Sequence, residues 1–408
     1  MKKNVSLETA QQFLLAQVAP KGERAVFLTE ATGTVLSRAV LAPLNLPPFD
    51  RSPLDGYVLR AADVRQASKA QPVALRVVEE VRAGFVASQT VECGCAVKIM
   101  TGAPLPDGAD VVVPFEDVDC KGDLVCITEP LASGSNIIYA GEDVAAGDLV
   151  AEAGAIVTPP LVGLLAALGI ETVFVYQTCK VAVFSTGDEL VEPPQVLQPG
   201  KIYNSNLHSL RAYCRMAGAE TVALGTAVDE EGAITARLEE ALRQADLVVT
   251  TGGVSVGDYD LLPAALQKAG AKVLFHGLDM KPGSPAMGAV CWGKPVLALS
   301  GNPAAALIAF ELVGAPLLKK MLGWQTVLPQ RVDVILDDEF AKASGQRRFV
   351  RVRLEVQGTQ LHAKLAGKQS NGALQSMVAS NALLDVPAGS GPLKAGQLVT
   401  AVLTGPLA

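Results

Sequence analysis

Residues 246–270, DLVVTTGGVSVGDYDLLPAALQKAG, decide the fold. The run LVVT is β-branched and apolar, as a buried strand requires. LLPAALQKAG reads as a helix with proline near its start and glycine at its end. Between them lies a loop with Gly252, Gly253, Ser255, Gly257, Asp258 and Asp260. Glycines let a phosphate come close to the backbone, whereas aspartates repel it. A loop with both suits an anion that arrives with a cation.

The same rhythm continues on either side. KVAVFS (180–185), ETVALGTAV (220–228), KVLFH (272–276) and PVLALS (295–300) read as strands. NSNLHSLRAYCRMAG (204–218), AITARLEEALRQA (233–245) and AAALIAFELV (304–313) read as helices. Strand and helix alternating in this way predict a doubly wound, mostly parallel βαβ sheet with helices on both faces.

The flanks have a different texture. Near the start, Ser6 caps a helix, ERAVFL (23–28) is a strand and TVLSRAV (34–40) a short helix. Pro43, Pro47, Pro48 and Pro53 then forbid regular helix. Short β runs punctuated by glycine fill residues 72–130, and PPLVGLLAALG (159–169) is a helix. From residue 328 onward RVDVILDD, RRFVRVRLEV, TQLHAKLAG, ALLDV and QLVTAVLTG predict a small barrel or sandwich.

Composition narrows the function. Half of the 408 residues are hydrophobic, and the formal net charge is −7. That charge argues against non-specific nucleic-acid binding. No signal peptide or bilayer-spanning run is visible, so a cytoplasmic protein with no membrane partner is expected. Seven scattered cysteines do not form a disulfide framework. Cys93, Cys95, Cys120 and Cys126 have poor spacing for a zinc site and read as idle thiols. His208 and His362 read as structural, and His276 lies near Lys281.

In an open parallel sheet, ligands bind beyond the carboxyl ends of the strands. The residues there are Thr186 to Glu189, Asp229, Thr251 to Gly253 with the loop after them, and Ser300-Gly301-Asn302-Pro303. Asn302 at the N-cap and Pro303 at N1 aim helix N–H groups at a ligand. Asp188 or Glu189, together with Asp229, Asp258 and Asp260, would oppose an anion unless a cation intervenes. Oxygen donors around phosphate suggest Mg²⁺. Lys281, on a Pro-Gly turn, adds a point charge. Neither a Walker pattern nor G-x-G-x-x-G after a strand is present.

These motifs, in order, resemble the molybdopterin molybdenumtransferases of the MoeA type, which also form the C-terminal half of gephyrin. The similar segments are FDRSPLDGYVLRAADV (49–64), IMTGAPLPDGADVVVPFED (99–117), IIYAGEDVAAGD (137–148), FSTGDEL (184–190), GKIYNSN (200–206), TTGGVSVGDYD (250–260), MKPGSP (280–285) and SGNPAAA (300–306). The resemblance covers nearly the whole chain. It implies a multidomain α/β plus β fold, in which a doubly wound molybdopterin-binding βαβ domain is flanked by small mostly-β domains and a C-terminal β-barrel. The expected divisions are 1–44 with 140–177 as an elongated linking and dimerising unit, 45–139 as a small β-rich unit, 178–327 as the α/β unit and 328–408 as the barrel.

The reaction implied is insertion of molybdate into adenylylated molybdopterin, with Mg²⁺-dependent release of AMP. Asp55, Thr101, Asp143, Glu189, Asp229, Asp260 and Lys281 are the implied catalytic positions. Gly252, Gly253, Ser255, Ser300, Gly301, Asn302, Pro303 and Arg351 are the implied binding positions. Glu189, Asp229, Asp258 and Asp260 are the implied metal ligands. The family also implies a homodimer whose first-half segments complete the partner's sheet-edge site, and transient contact with other cofactor-biosynthesis proteins. Ser284 replaces the family's second lysine in Lys-Pro-Gly-Lys-Pro, and Ser300 stands where many members have proline. Asn371 and Ser376 match the family's Gly-Ser segment only loosely. Rival readings are an adenylyltransferase-like enzyme, which would consume ATP, and a non-catalytic pterin-binding scaffold.

Overall fold

The computed structural model describes residues 2–254 and 261–407. A seven-stranded sheet orders Lys2–Val5, Lys272–Leu278, Ala286–Cys291, Lys294–Leu299, Leu247–Thr251, Lys180–Thr186 and Glu220–Ala227. The strands from Lys294–Leu299 to Glu220–Ala227 are parallel neighbours. Their text is apolar on both faces because both faces are covered. Helices Leu7–Leu15, Ser205–Met216 and Pro303–Ala309 bury Leu14, Leu210 and Ala306 on one side. Helices Glu231–Gln244 and Leu262–Lys268 bury Leu238 and Leu266 on the other.

The sheet is mostly parallel, as expected, with one antiparallel strand. Ala286–Cys291 runs antiparallel to both its neighbours. It joins Lys294–Leu299 through Trp292-Gly293, both at positive φ (51° and 73°), the hairpin conformation that matches strand twist. Lys2–Val5 is an edge strand parallel to Lys272–Leu278, and Leu7, Ala10 and Leu14 pack into the same core. Residues 2–15 therefore sit with the α/β unit, outside the expected grouping of 1–44. The expected helix at 34–40 is extended: Val35 bridges Ile156, Leu36 bridges Val175, and Val40–Leu41 pairs with Leu149–Ala151. Its β-branched and apolar residues find strand partners more than a hundred positions away.

Elsewhere, Glu23–Phe27 and Thr172–Tyr176 form an antiparallel pair beside the helix Pro159–Ala167. A six-stranded sheet between residues 56 and 127 forms the small β unit. In the C-terminal part, Arg331–Leu336, Arg347–Gln357, Gln360–Leu365, Ala382–Val386 and Leu398–Leu403 pair in a closed circuit, a five-stranded barrel. A strand pairing and an ion-pair bridge are among the ties between this barrel and the α/β unit. Met280–Lys281 adds to the barrel strand Arg347–Gln357, with Lys281 opposite Arg348. Arg347 bridges the nearly buried Asp385, at 2.6 Å, and Glu8 of the first helix, at 2.5 Å.

Candidate functional site

A cleft of about 530 Å³ opens at the carboxyl edge of the parallel strands. Thr186, Gly187 and Glu189 line it from the strand Lys180–Thr186, and Asp229 from beyond Glu220–Ala227. Thr251, Gly252 and Gly253 come from the next strand, and Ser300 to Pro303 from the one after it. The sheet edge thus gathers the residues that the sequence placed there. Ser255, Asp258 and Asp260 lie outside the described residues.

The acids are organised by backbone bonds. The Asp188 N–H donates to Asp229 Oδ2 at 3.4 Å, and the Asp229 N–H donates to Asp188 Oδ1 at 3.2 Å. This reciprocal clamp holds two strand-following loops together. Glu189 is exposed at the cleft wall. Among the described residues, no His, Cys, Asp and Glu cluster of three could hold a metal by itself. Glu189 and Asp229 nevertheless fit Mg²⁺, which binds through one or two carboxylates and takes its other oxygens from substrate and water.

The glycines serve packing first. A Cβ on Gly252 (φ +92°) would lie 2.4 Å from the Thr186 carbonyl oxygen, and its N–H donates to the Leu299 carbonyl at 3.0 Å. Gly301 is different, because a Cβ there meets nothing closer than 3.7 Å. Nor does the helix after Asn302 offer its first N–H groups to a ligand. Those of Ala304 and Ala305 donate to the Asn371 carbonyl of the barrel, at 2.9 and 3.3 Å. The Asn302 N–H donates to Ser300 Oγ at 3.2 Å. The cleft's unpaired polar atoms are side-chain oxygens instead. Thr186 Oγ1 and Asn206 Oδ1 are buried without a hydrogen-bond partner among the described residues, while Asn206 Nδ2 donates to the Gly301 carbonyl at 2.8 Å.

Pro285 lines this cleft and also a second, more enclosed pocket of about 200 Å³. Lys281, Ser284, Arg348, Gln369 and Asn371 line that pocket. Lys281 and Arg348, paired across the strand register, make it cationic. Arg351 is not there. Only 1% of it is exposed, and Nη2 donates to the carbonyls of Lys368 and Ser370, both at 3.0 Å.

Three family models match the chain in order. They are the MoeA N-terminal region (domain I and II) over residues 5–169, a probable molybdopterin binding domain over 182–320, and the MoeA C-terminal region (domain IV) over 333–404. A molybdopterin molybdenumtransferase of Staphylococcus aureus (strain MRSA252) is 35% identical over 400 residues, 98% of this chain and 96% of the relative. The chain belongs to the MoeA family of molybdopterin molybdenumtransferases. Molybdopterin molybdenumtransferase 2 of Mycobacterium tuberculosis (strain CDC 1551 / Oshkosh) is 40% identical over 367 residues, covering 88% of this chain and 90% of the relative. A crystal structure of a molybdopterin biosynthesis MoeA protein from Pyrococcus horikoshii OT3 superposes with a TM-score of 0.84 at 34% identity, covering 98% of this chain and 100% of that one.

Two of the MoeA positions in the first half of the chain, Asp55 and Thr101, pair with each other. Asp55 Oδ1 accepts from the Thr101 N–H at 2.7 Å and from its hydroxyl at 2.8 Å. These bonds, the backbone one foremost, hold the Asp55 carboxyl below the usual carboxylate range. Asp143 is exposed, and its N–H donates to the Leu46 carbonyl at 3.1 Å. None of the three is among the residues lining the cleft. His276 is held at 2.9 Å by the Val254 carbonyl, His208 faces Glu192, and His362 faces Asp337. The four thiols from Cys93 to Cys126 are free. Sequence reasoning missed Asn206, although GKIYNSN contains it. Arg348, which lines the cationic pocket, was not among the expected positions either, although RRFVRV contains it.

Proposed function

We propose that this MoeA protein inserts molybdate into adenylylated molybdopterin and releases AMP, as a cytoplasmic homodimer using Mg²⁺. The carrying observation is the pair of adjoining compartments that share Pro285, one acidic and rich in acceptors, the other small and cationic. A tetrahedral dianion suits the second, where Lys281 and Arg348 supply charge and Ser284 a hydroxyl. The nucleotide-bearing pterin suits the first, where Thr186 Oγ1 and Asn206 Oδ1 can accept from ring N–H or ribose hydroxyl groups.

Glu189 and Asp229 would hold Mg²⁺, with Asp258 and Asp260, outside the described residues, as further candidates. When bound, the ion supplies charge neutralisation to the phosphate oxygens. The chain's own residues do the positioning. The Asp188–Asp229 clamp fixes the cleft floor, and the close approach of Gly252 to Thr186 fixes the spacing between strands. Lys281 and Arg348 hold molybdate near the dithiolene end of the pterin. Bringing two reactants together in this way converts a bimolecular encounter into a positioned one.

Asp55, Thr101 and Asp143 act on the partner's cleft in this reading. The helix Pro159–Ala167, PPLVGLLAA, supports a dimer: it is almost wholly apolar, yet only Leu165 is buried. Exposed Phe27, Leu41, Leu149 and Ile156 extend the apolar surface of the same unit. Replacing either Lys281 or Arg348 by alanine should raise the molybdate concentration for half-maximal AMP release by about tenfold or more, since each removes a charge-assisted contact. Unchanged molybdate dependence in both variants would remove the cationic pocket from the mechanism.

A further inference from the structure

The loop over residues 367–371 forms one wall of the cationic pocket. Gln369 and Asn371 line the cationic pocket with Lys281 and Arg348. The Asn371 carbonyl caps the helix Pro303–Ala309, which starts where the cleft residues Ser300 to Pro303 end. A shift of this loop would move a wall of the cationic pocket first, since its residues line that pocket directly.

Arg351 and Gln369 hold the loop in place. The Gln369 amide mimics a neighbouring strand: its Oε1 accepts from the Arg351 N–H at 2.9 Å, and its Nε2 donates to the Arg351 carbonyl at 2.9 Å. Nε2 also reaches the Gly367 carbonyl at 3.2 Å. From beneath, Arg351 Nη2 grips the carbonyls of Lys368 and Ser370. Nε and Nη1 have no hydrogen-bond partner among the described residues and are shielded from solvent. A buried guanidinium answered only by carbonyls is costly, so a specific role is the economical reading. Its burial also keeps it from touching substrate.

We propose that Arg351 and Gln369 are positioning residues, a clasp that sets loop 367–371 as a wall of the oxyanion pocket. The proposal rests on the reading of the Lys281–Arg348 pocket as the seat of molybdate. It assigns Arg351 to the architecture behind that seat instead of to ligand contact.

The test uses the full-length protein carrying Gln369→Ala, Arg351→Met or Arg351→Lys. Gln369 is only half-buried, so its truncation leaves the barrel core intact. Molybdate binding is measured by equilibrium dialysis, and AMP release is measured against both substrates. Gln369→Ala is expected to weaken molybdate binding by about fivefold or more, the loss of one or two net hydrogen bonds. The KM for adenylylated molybdopterin should stay within about threefold, and Arg351→Lys should bind molybdate more tightly than Arg351→Met. A weakening of less than fivefold in Gln369→Ala overturns the clasp, as does an equal loss for both substrates. Dialysis with molybdate alone reads the clasp even where wild-type turnover is absent, so failure of the clasp and failure of the reaction are distinct results.

Discussion

Two glycines in the same cleft should respond oppositely to one added methyl group. In Gly252→Ala the new Cβ would meet the Thr186 carbonyl oxygen at 2.4 Å and its Oγ1 at 2.7 Å, with φ at +92°. The left-handed backbone costs about 1–2 kcal/mol for a residue with a Cβ. Overpacking against fixed backbone adds about 1–3 kcal/mol. The sum, about 2–5 kcal/mol, should lower the melting temperature of the α/β unit by roughly 5–15 °C. In Gly301→Ala the nearest atom is 3.7 Å away, the Gly252 Cα, so folding should lose less than about 0.5 kcal/mol. That methyl group instead takes space in the cleft, and should raise the KM for adenylylated molybdopterin by about tenfold, or about 1.4 kcal/mol. Calorimetric melting and AMP release on both variants separate the two effects. A stable, active Gly252→Ala protein would refute the packing argument. Full substrate affinity in Gly301→Ala would remove that wall from the binding surface.

Three further outcomes follow from the same structure. Arg347→Ala leaves the nearly buried Asp385 with Arg331 as its remaining cation and should cost about 1.5–3 kcal/mol, whereas removing the exposed Glu8 carboxyl should cost about 1 kcal/mol or less; urea unfolding of each variant checks this. Burial pushes the Glu311 carboxyl up to about 7, above its ordinary 4.5, so the folded state binds the extra proton between these values. Stability should be greatest below pH 4.5 as far as this group is concerned and fall as pH rises through 7. Glu311→Gln should flatten that slope and stabilise the protein at pH 8 by about 1–3 kcal/mol, read from melting curves across pH. Mixing inactive Asp55→Asn and Asp229→Asn chains should restore about a quarter of wild-type AMP release, because one cleft in half the dimers, the mixed ones, carries both intact residues; no recovery after verified subunit exchange argues against a shared site.

The parallel strands were legible because each is an apolar run followed by an amphipathic helix, a local pattern. The acidic and glycine loops were legible with them, since topology puts strand-following residues on one edge. Ala286–Cys291 was hidden by its turn, as Trp292 is an unusual residue at positive φ. Lys2–Val5 was hidden because its partner lies some 270 positions away, and KKNV has no apolar alternation. The spent helix N–H groups at Ala304 and Ala305 depend on Asn371, in another part of the chain. Choosing between Arg348 and Arg351 needed strand alternation. Phe349, Val350, Arg351 and Val352 are all buried, so both faces of that strand look alike in sequence.

AMP release from adenylylated molybdopterin, followed with and without molybdate and with and without Mg²⁺, tests the central claim most directly. The two-compartment cleft predicts AMP formation that needs molybdate, rises with Mg²⁺ and is accompanied by molybdenum cofactor. No AMP in any combination, or consumption of ATP in its place, would contradict it.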